Sequence, residues 1–90
     1  MVIWKVEIPV LDRVEISWPA GSVPLAVQNQ HGGVILWFRC DPEAEQERRW
    51  VKVVGTGNPL PADIGDDQYL GTTQMMNGLF VWHVFLEPLR

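Results

Sequence analysis

The chain is poor in cysteine. Cys40 is the only one among 90 residues, so no internal disulfide can form and a four-cysteine zinc site is excluded. This usage differs from a disulfide-stapled secreted scaffold and fits a reducing cytoplasm. Basic residues are few and scattered. Seven Lys and Arg stand against eleven Asp and Glu, giving a net charge of −4. Long nucleic acids are bound through a broad basic footprint, which argues against that partner class. A small nucleotide stays open, because one or two arginines can hold it. No apolar run approaches the ~20 residues of a membrane helix. No basic segment leads into an apolar stretch near Met1, so no signal peptide and no membrane association are expected. Internal repeats and low-complexity segments are absent as well.

Tryptophan is abundant instead, with five in the chain. Large aromatic side chains suit cores and interfaces. Ninety residues predict one domain with a thin core, and chains this small often rely on a partner.

Period-two alternation dominates and predicts an all-β fold. Val2 to Ile8 reads as the first strand, limited by Pro9. Arg13 to Trp18, Pro24 to Gln30 and Val34 to Cys40 follow, with His31-Gly32-Gly33 as a tight hairpin turn. Asp41 to Arg49 is polar and reads as a connection with room for one helical turn. Trp50 to Val54, extending toward Thr56, is the fifth strand. Asn58 to Asp67 reads as a long loop, Gln68 to Met75 as a strand, and Asn77-Gly78 as a type I′ turn into Leu79 to Glu87. The expected architecture is a small antiparallel meander of about seven strands, closing into a sandwich or barrel. The fourth and seventh strands are apolar on both faces, which suggests that one face meets another subunit and predicts a homo-oligomer.

Chemistry is thinly marked. Ser17 and Ser22 lack a nucleophile-elbow context. Cys40 at a strand end reads as a small buried hydrophobe. His31 and His83 have no metal-ligand spacing, and His83, between Trp82 and Val84, reads either as a packed histidine or as a ligand contact. Asp63, Asp66 and Asp67 read as a solvated acidic loop without calcium-loop spacing. No catalytic set, metal or cofactor is implied. Gly55-Thr56-Gly57-Asn58 is neither a dinucleotide fingerprint, since Leu60 holds the sixth position between Pro59 and Pro61, nor a phosphate loop of the Gly-Lys-Ser/Thr type. It reads either as a nest of amides for anionic oxygens or as a bulge and turn. Arg48 and Arg49 are candidate phosphate partners or a solvated pair beside Glu43, Glu45 and Glu47. Trp50 and Tyr69 are candidates for base stacking or for the core.

The run IWKVEIPVLDRVEISWPAGSVPLAVQNQHGGVILWFRCDPE, with the later blocks VVGTGNPL, YLGTTQ and FVWHVFLE, resembles a family of small all-β bacteriophage proteins. The resemblance spans Ile3 to Glu87. It implies a phage protein of the host cytoplasm, similar to the oligomeric sponges that withhold nucleotide immune signals without cleaving them. Such signals are TIR-derived ADP-ribose-type molecules or cyclic oligonucleotides, the messengers of Thoeris- and CBASS-type defence. It also implies Gly55, Thr56, Gly57, Asn58, Thr72, Thr73 and Gln74 as ligand-facing positions. Asn58 stands where some relatives are expected to carry histidine. Two other readings remain: a module binding a protein partner through its apolar strands, and an enzyme built on His83 and a carboxylate.

Overall fold

The computed structural model describes residues 1–89. Seven strands form: β1 (Val2–Ile8), β2 (Arg13–Pro19), β3 (Val23–Gln30), β4 (Gly33–Cys40), β5 (Gln46–Gly55), β6 (Gln68–Met75) and β7 (Phe80–Leu86). A short 3₁₀ turn, Ile64–Asp66, lies in the loop before β6. No helix among the described residues is long and apolar enough to cross a membrane.

The strands divide into two antiparallel sheets, ordered β1-β4-β3 and β2-β5-β7-β6. The fold is therefore an open two-sheet sandwich and not a closed barrel. It is also not the expected meander, because the chain changes sheets after β1, β2 and β4, and the loop after β5 leads to β6 at the sheet edge, with β7 inserted between them. Alternation is a local signal and carries no information on which strands pair. The two hairpins are those foreseen. His31 and Gly32 both have positive φ, closing β3 onto β4. Asn77 and Gly78 do the same between β6 and β7, with the Leu79 N–H donating to the Met76 carbonyl.

The core lies between the sheets. Ile8, Val34, Leu36, Phe38 and Cys40 face Ile16, Trp18, Val51, Val53, Val84 and Leu86 in one buried cluster. Burial of each large aliphatic side chain contributes about 1.5–3 kcal/mol. The Trp18 and Phe38 rings cross between the sheets at 5.3 Å, and Val27 of β3 reaches Gly71 of β6 where the sheets meet. Both faces of β4 are largely covered within one chain. Ile35, on the outer face, is buried and Trp37 half-buried.

One boundary differs from the sequence reading. Gln46–Arg49 are not a connection but the first four residues of β5, paired with Pro19–Ile16. The polar inward-facing residues of that segment find partners nearby, although Arg49 Nε is buried without a hydrogen bond among the described residues. The Trp18 indole donates to Glu47 at 2.9 Å, and Arg49 donates to the Glu87 carbonyl at 2.8 Å. The segment after Asp41 forms a turn and not a helix: the Glu43 N–H donates to the Asp41 side chain, and the Ala44 N–H to the Asp41 carbonyl.

Candidate functional site

At the end of β5 the chain turns through Gly55, Thr56, Gly57 and Asn58. The Thr56 N–H donates to the Val81 carbonyl, continuing the ladder to β7, and the Asn58 N–H donates to the Gly55 carbonyl, closing the turn. Two of the backbone donors that a phosphate nest would use are thus already engaged. Gly57 has φ +89°, a conformation that side chains resist. At Gly55 the reason for glycine is space. A Cβ there would stand 2.9 Å from the Asn58 amide nitrogen and 3.2 Å from the Trp82 ring.

That missing side chain lets Trp82 lie against the turn, and clefts open on two sides of it. One, of about 620 Å³, is walled by Val10 and Leu11 from the β1–β2 loop, by Asn58 and Pro59, and by Trp82. The other, of about 460 Å³, runs past Thr56, Leu79 and Phe80. Both contain Gly55, Asn58 and Trp82. Phe80 and Trp82 alternate onto one face of β7 and stack, with centroids 5.8 Å apart and planes 8° from parallel. Among the described residues no lysine or arginine lines either cleft.

On the outer face of β5-β7-β6, adjacent to the turn, four polar side chains join into a row. His83 Nε2 and Thr56 Oγ1 share a hydrogen bond of 2.6 Å. His83 Nδ1 and Thr72 Oγ1 share one of 2.8 Å. Thr72 in turn bonds the Tyr69 hydroxyl. Strand register creates the row: His83 sits directly between Val54 and Thr72, and Thr56 is two residues beyond Val54 on the same face.

Beside the row lies an ion cluster. Lys52, flanked by three valines in Val51-Lys52-Val53-Val54, is buried under the Asn58–Asp67 loop. Its Nζ donates to Asp67 at 2.8 Å and Asp63 at 3.1 Å, and lies 3.7 Å from Glu87. Arg13 makes a two-pronged bond to Glu87 at 2.6 and 2.9 Å. Burial pushes the Lys52 ammonium down, but the bonds to Asp67 and Asp63 outweigh it and hold the group above its ordinary value. The bond from Lys52 holds the Asp63 carboxyl below its ordinary range. Asp67 is therefore no solvated carboxylate: its side chain is 1% exposed, against 67% for Asp63. The acidic loop reads as surface because its lysine partner is remote in sequence.

The twelve sequence candidates thus separate. Thr56, Tyr69, Thr72 and His83 come together in the row, with Gln74 exposed on the same face of β6. Gly55, Gly57 and Asn58 form the turn beside it. Arg48 and Arg49 alternate to opposite faces of β5. Arg48 is exposed, whereas Arg49 is held inside by the Glu87 carbonyl, by Glu47 at 3.6 Å, and by the Trp18 ring. Trp50 is half-buried beneath the Arg13 guanidinium, 3.9 Å from its ring centroid. Thr73 points inward and is buried. Tyr69 leans on Phe85 at 5.4 Å. Phe80 and Trp82 were not singled out from sequence; their spacing of two on one strand was the available signal. Lys52 was also missed, and the signal was a lone charge within an apolar strand.

Among the described residues no group of histidine, cysteine and carboxylate side chains is arranged to hold a metal ion. No curated protein and no solved structure matches the chain. A family model does match, over residues 1–90, and the chain belongs to that family, DUF7352, a domain of unknown function.

Proposed function

We propose that the protein binds a small nucleotide-derived signal and withholds it unchanged, acting as a phage-encoded sponge in the cytoplasm of an infected bacterium. The observation that carries this reading is the convergence at one end of the four-stranded sheet. The row Thr56–His83–Thr72–Tyr69 lies on the outer face, the stacked Phe80–Trp82 pair lies on the inner face of β7, and the two meet around the turn, where Thr56 shares a cleft with Phe80 and Trp82. Hydroxyls and a ring nitrogen suit ribose hydroxyls and phosphate oxygens, and an aromatic face accepts a base of any identity. Binding is favoured over turnover by the surroundings of His83. Both ring nitrogens meet threonine hydroxyls, and among the described residues no carboxylate orients the imidazole as a general base. The absence of lysine and arginine among the described residues of the cleft walls favours a ligand with few phosphates. An ADP-ribose-type molecule, with two phosphates like a cyclic dinucleotide, fits that requirement better than a larger cyclic oligonucleotide, whose every linkage carries a charge.

The test is capture. The purified protein is mixed with filtered lysate from cells making TIR or cyclase signals, washed and denatured, and the released material is weighed by mass spectrometry. Intact nucleotide from the wild type, lost in His83→Ala and Thr56→Ala variants that remain folded, is expected. Failure of every signal to bind at micromolar concentration, or release of an altered nucleotide, overturns the reading. A protein-interaction role is the second reading, favoured by the exposed apolar residues Met1, Val2, Ile3 and Trp4.

A further inference from the structure

We propose that β1 is a self-pairing edge: two copies join their β1 strands antiparallel about Val6, fusing two three-stranded sheets into one continuous sheet.

β1 ends the order β1-β4-β3, so one side of its backbone has no strand partner. Such an edge is a template for another strand. Its inward-facing residues are covered progressively. Ile8 is buried and Val6 half-buried, but Trp4 remains 44% and Val2 40% exposed. Their neighbours on β4, Phe38 and Cys40, are fully inside. The first half of β1 therefore overhangs the core. Ile3, on the other face, is 64% exposed, and a shallow groove runs past Ile3, Trp4, Lys5 and Trp37.

Charge selects the occupant and the register. Lys5 and Glu7 lie on the same outer face, opposite Trp37 and Ile35 of β4. Lys5 donates only to the neutral Gln30 amide, at 2.5 Å, and neither charge belongs to an ion pair among the described residues. A two-fold axis through Val6 sets Lys5 of each copy against Glu7 of the other, so that both charges pair twice. It also sets Trp4 against Ile8, apolar on apolar, on the core side. The neighbouring two-fold registers fail this requirement. Centring on Lys5 opposes two lysines, centring on Glu7 opposes two glutamates, and centring on Trp4 sets lysine against isoleucine. A two-fold contact is self-complementary by construction, and opposite charges across a strand pair are favourable where like charges are not. Pro9, which lacks an N–H, ends the ladder opposite Ile3. The dimer does not depend on the identity of any ligand.

Sedimentation equilibrium across the micromolar range tests the pairing, with circular dichroism confirming that each variant is folded. The wild type is expected to be a dimer. Lys5→Glu and Glu7→Lys each place like charges opposite one another, and each is expected to weaken association ~10-fold or more. Mixing the two variants restores both pairings and should give a heterodimer near wild-type affinity. A wild type that stays monomeric overturns the proposal, as does a dimer indifferent to Lys5→Glu. Single variants that weaken association without rescue on mixing overturn the register.

Discussion

Two edge strands of the sandwich, β2 and β1, are built differently. β2 closes its sheet with its own chain. Ile16 and Trp18 are buried inward, the Trp18 indole is bonded to Glu47, and Arg13 at the strand start is tied to Glu87. Pro19 ends the strand without an N–H to offer. β1 does none of this. Its tryptophan overhangs, its charges form no ion pair among the described residues, and its apolar residues reach solvent. Both edges carry the same alternation of apolar and polar residues. What separates them is whether long-range partners such as Glu47 and Glu87 arrive. Exposed apolar area is therefore informative here only once the partners of each strand are known.

The comparison breaks most visibly in the two edge tryptophans. Trp18→Ala should cost about 3–5 kcal/mol by urea denaturation, since it empties a filled core site and strips Glu47 of its donor. Next comes Lys52→Met, which strips the buried Asp67 carboxylate of its bonded ammonium and leaves Glu87 to Arg13. A loss of ~3 kcal/mol at neutral pH is expected. Because the folded state holds Lys52 above its ordinary value of 10.5, its contribution is full below that pH. It should fade as pH rises through the higher folded value, so wild type and variant should converge in strong alkali.

Gly55→Ala should cost about 1–3 kcal/mol by pressing on Trp82. Gly57→Ala meets open space and should cost roughly 1–2 kcal/mol from its φ alone. A smaller effect is expected from the exposed Asp63. Its carboxyl is held low, so Asp63→Asn should be less stable than wild type above the ordinary aspartate range. The difference should vanish as pH falls through the lower folded value. The smallest is Trp4→Ala, which should leave the folding stability of a monomer within about 1 kcal/mol. A Trp4→Ala loss as large as that of Trp18→Ala would erase the distinction between the edges.

Much of the fold was legible because alternation and turn chemistry are local. β1 and β6 have the limits read from sequence, and both positive-φ hairpins form as their residues require. The start of β5 was hidden because Gln46–Arg49 are all polar. Only the pairing with β2 reveals that Glu47 and Arg49 point inward to specific acceptors and donors. The row was named residue by residue, but its assembly rests on β7 lying between β5 and β6, an order that no local pattern encodes. The Lys52 cluster was illegible for the same reason. A lysine among valines and an aspartate ten or more residues later become a pair only after the loop folds back over the strand.

The overhang of β1 has one more consequence. Of the five tryptophans, Trp4 alone is exposed, while Trp18 is buried and Trp37, Trp50 and Trp82 are half-buried. A collisional quencher such as iodide should therefore dim mainly one indole, and anything that settles on this edge should shield it. The molecule carries a native optical reporter at the place where its surface is least finished.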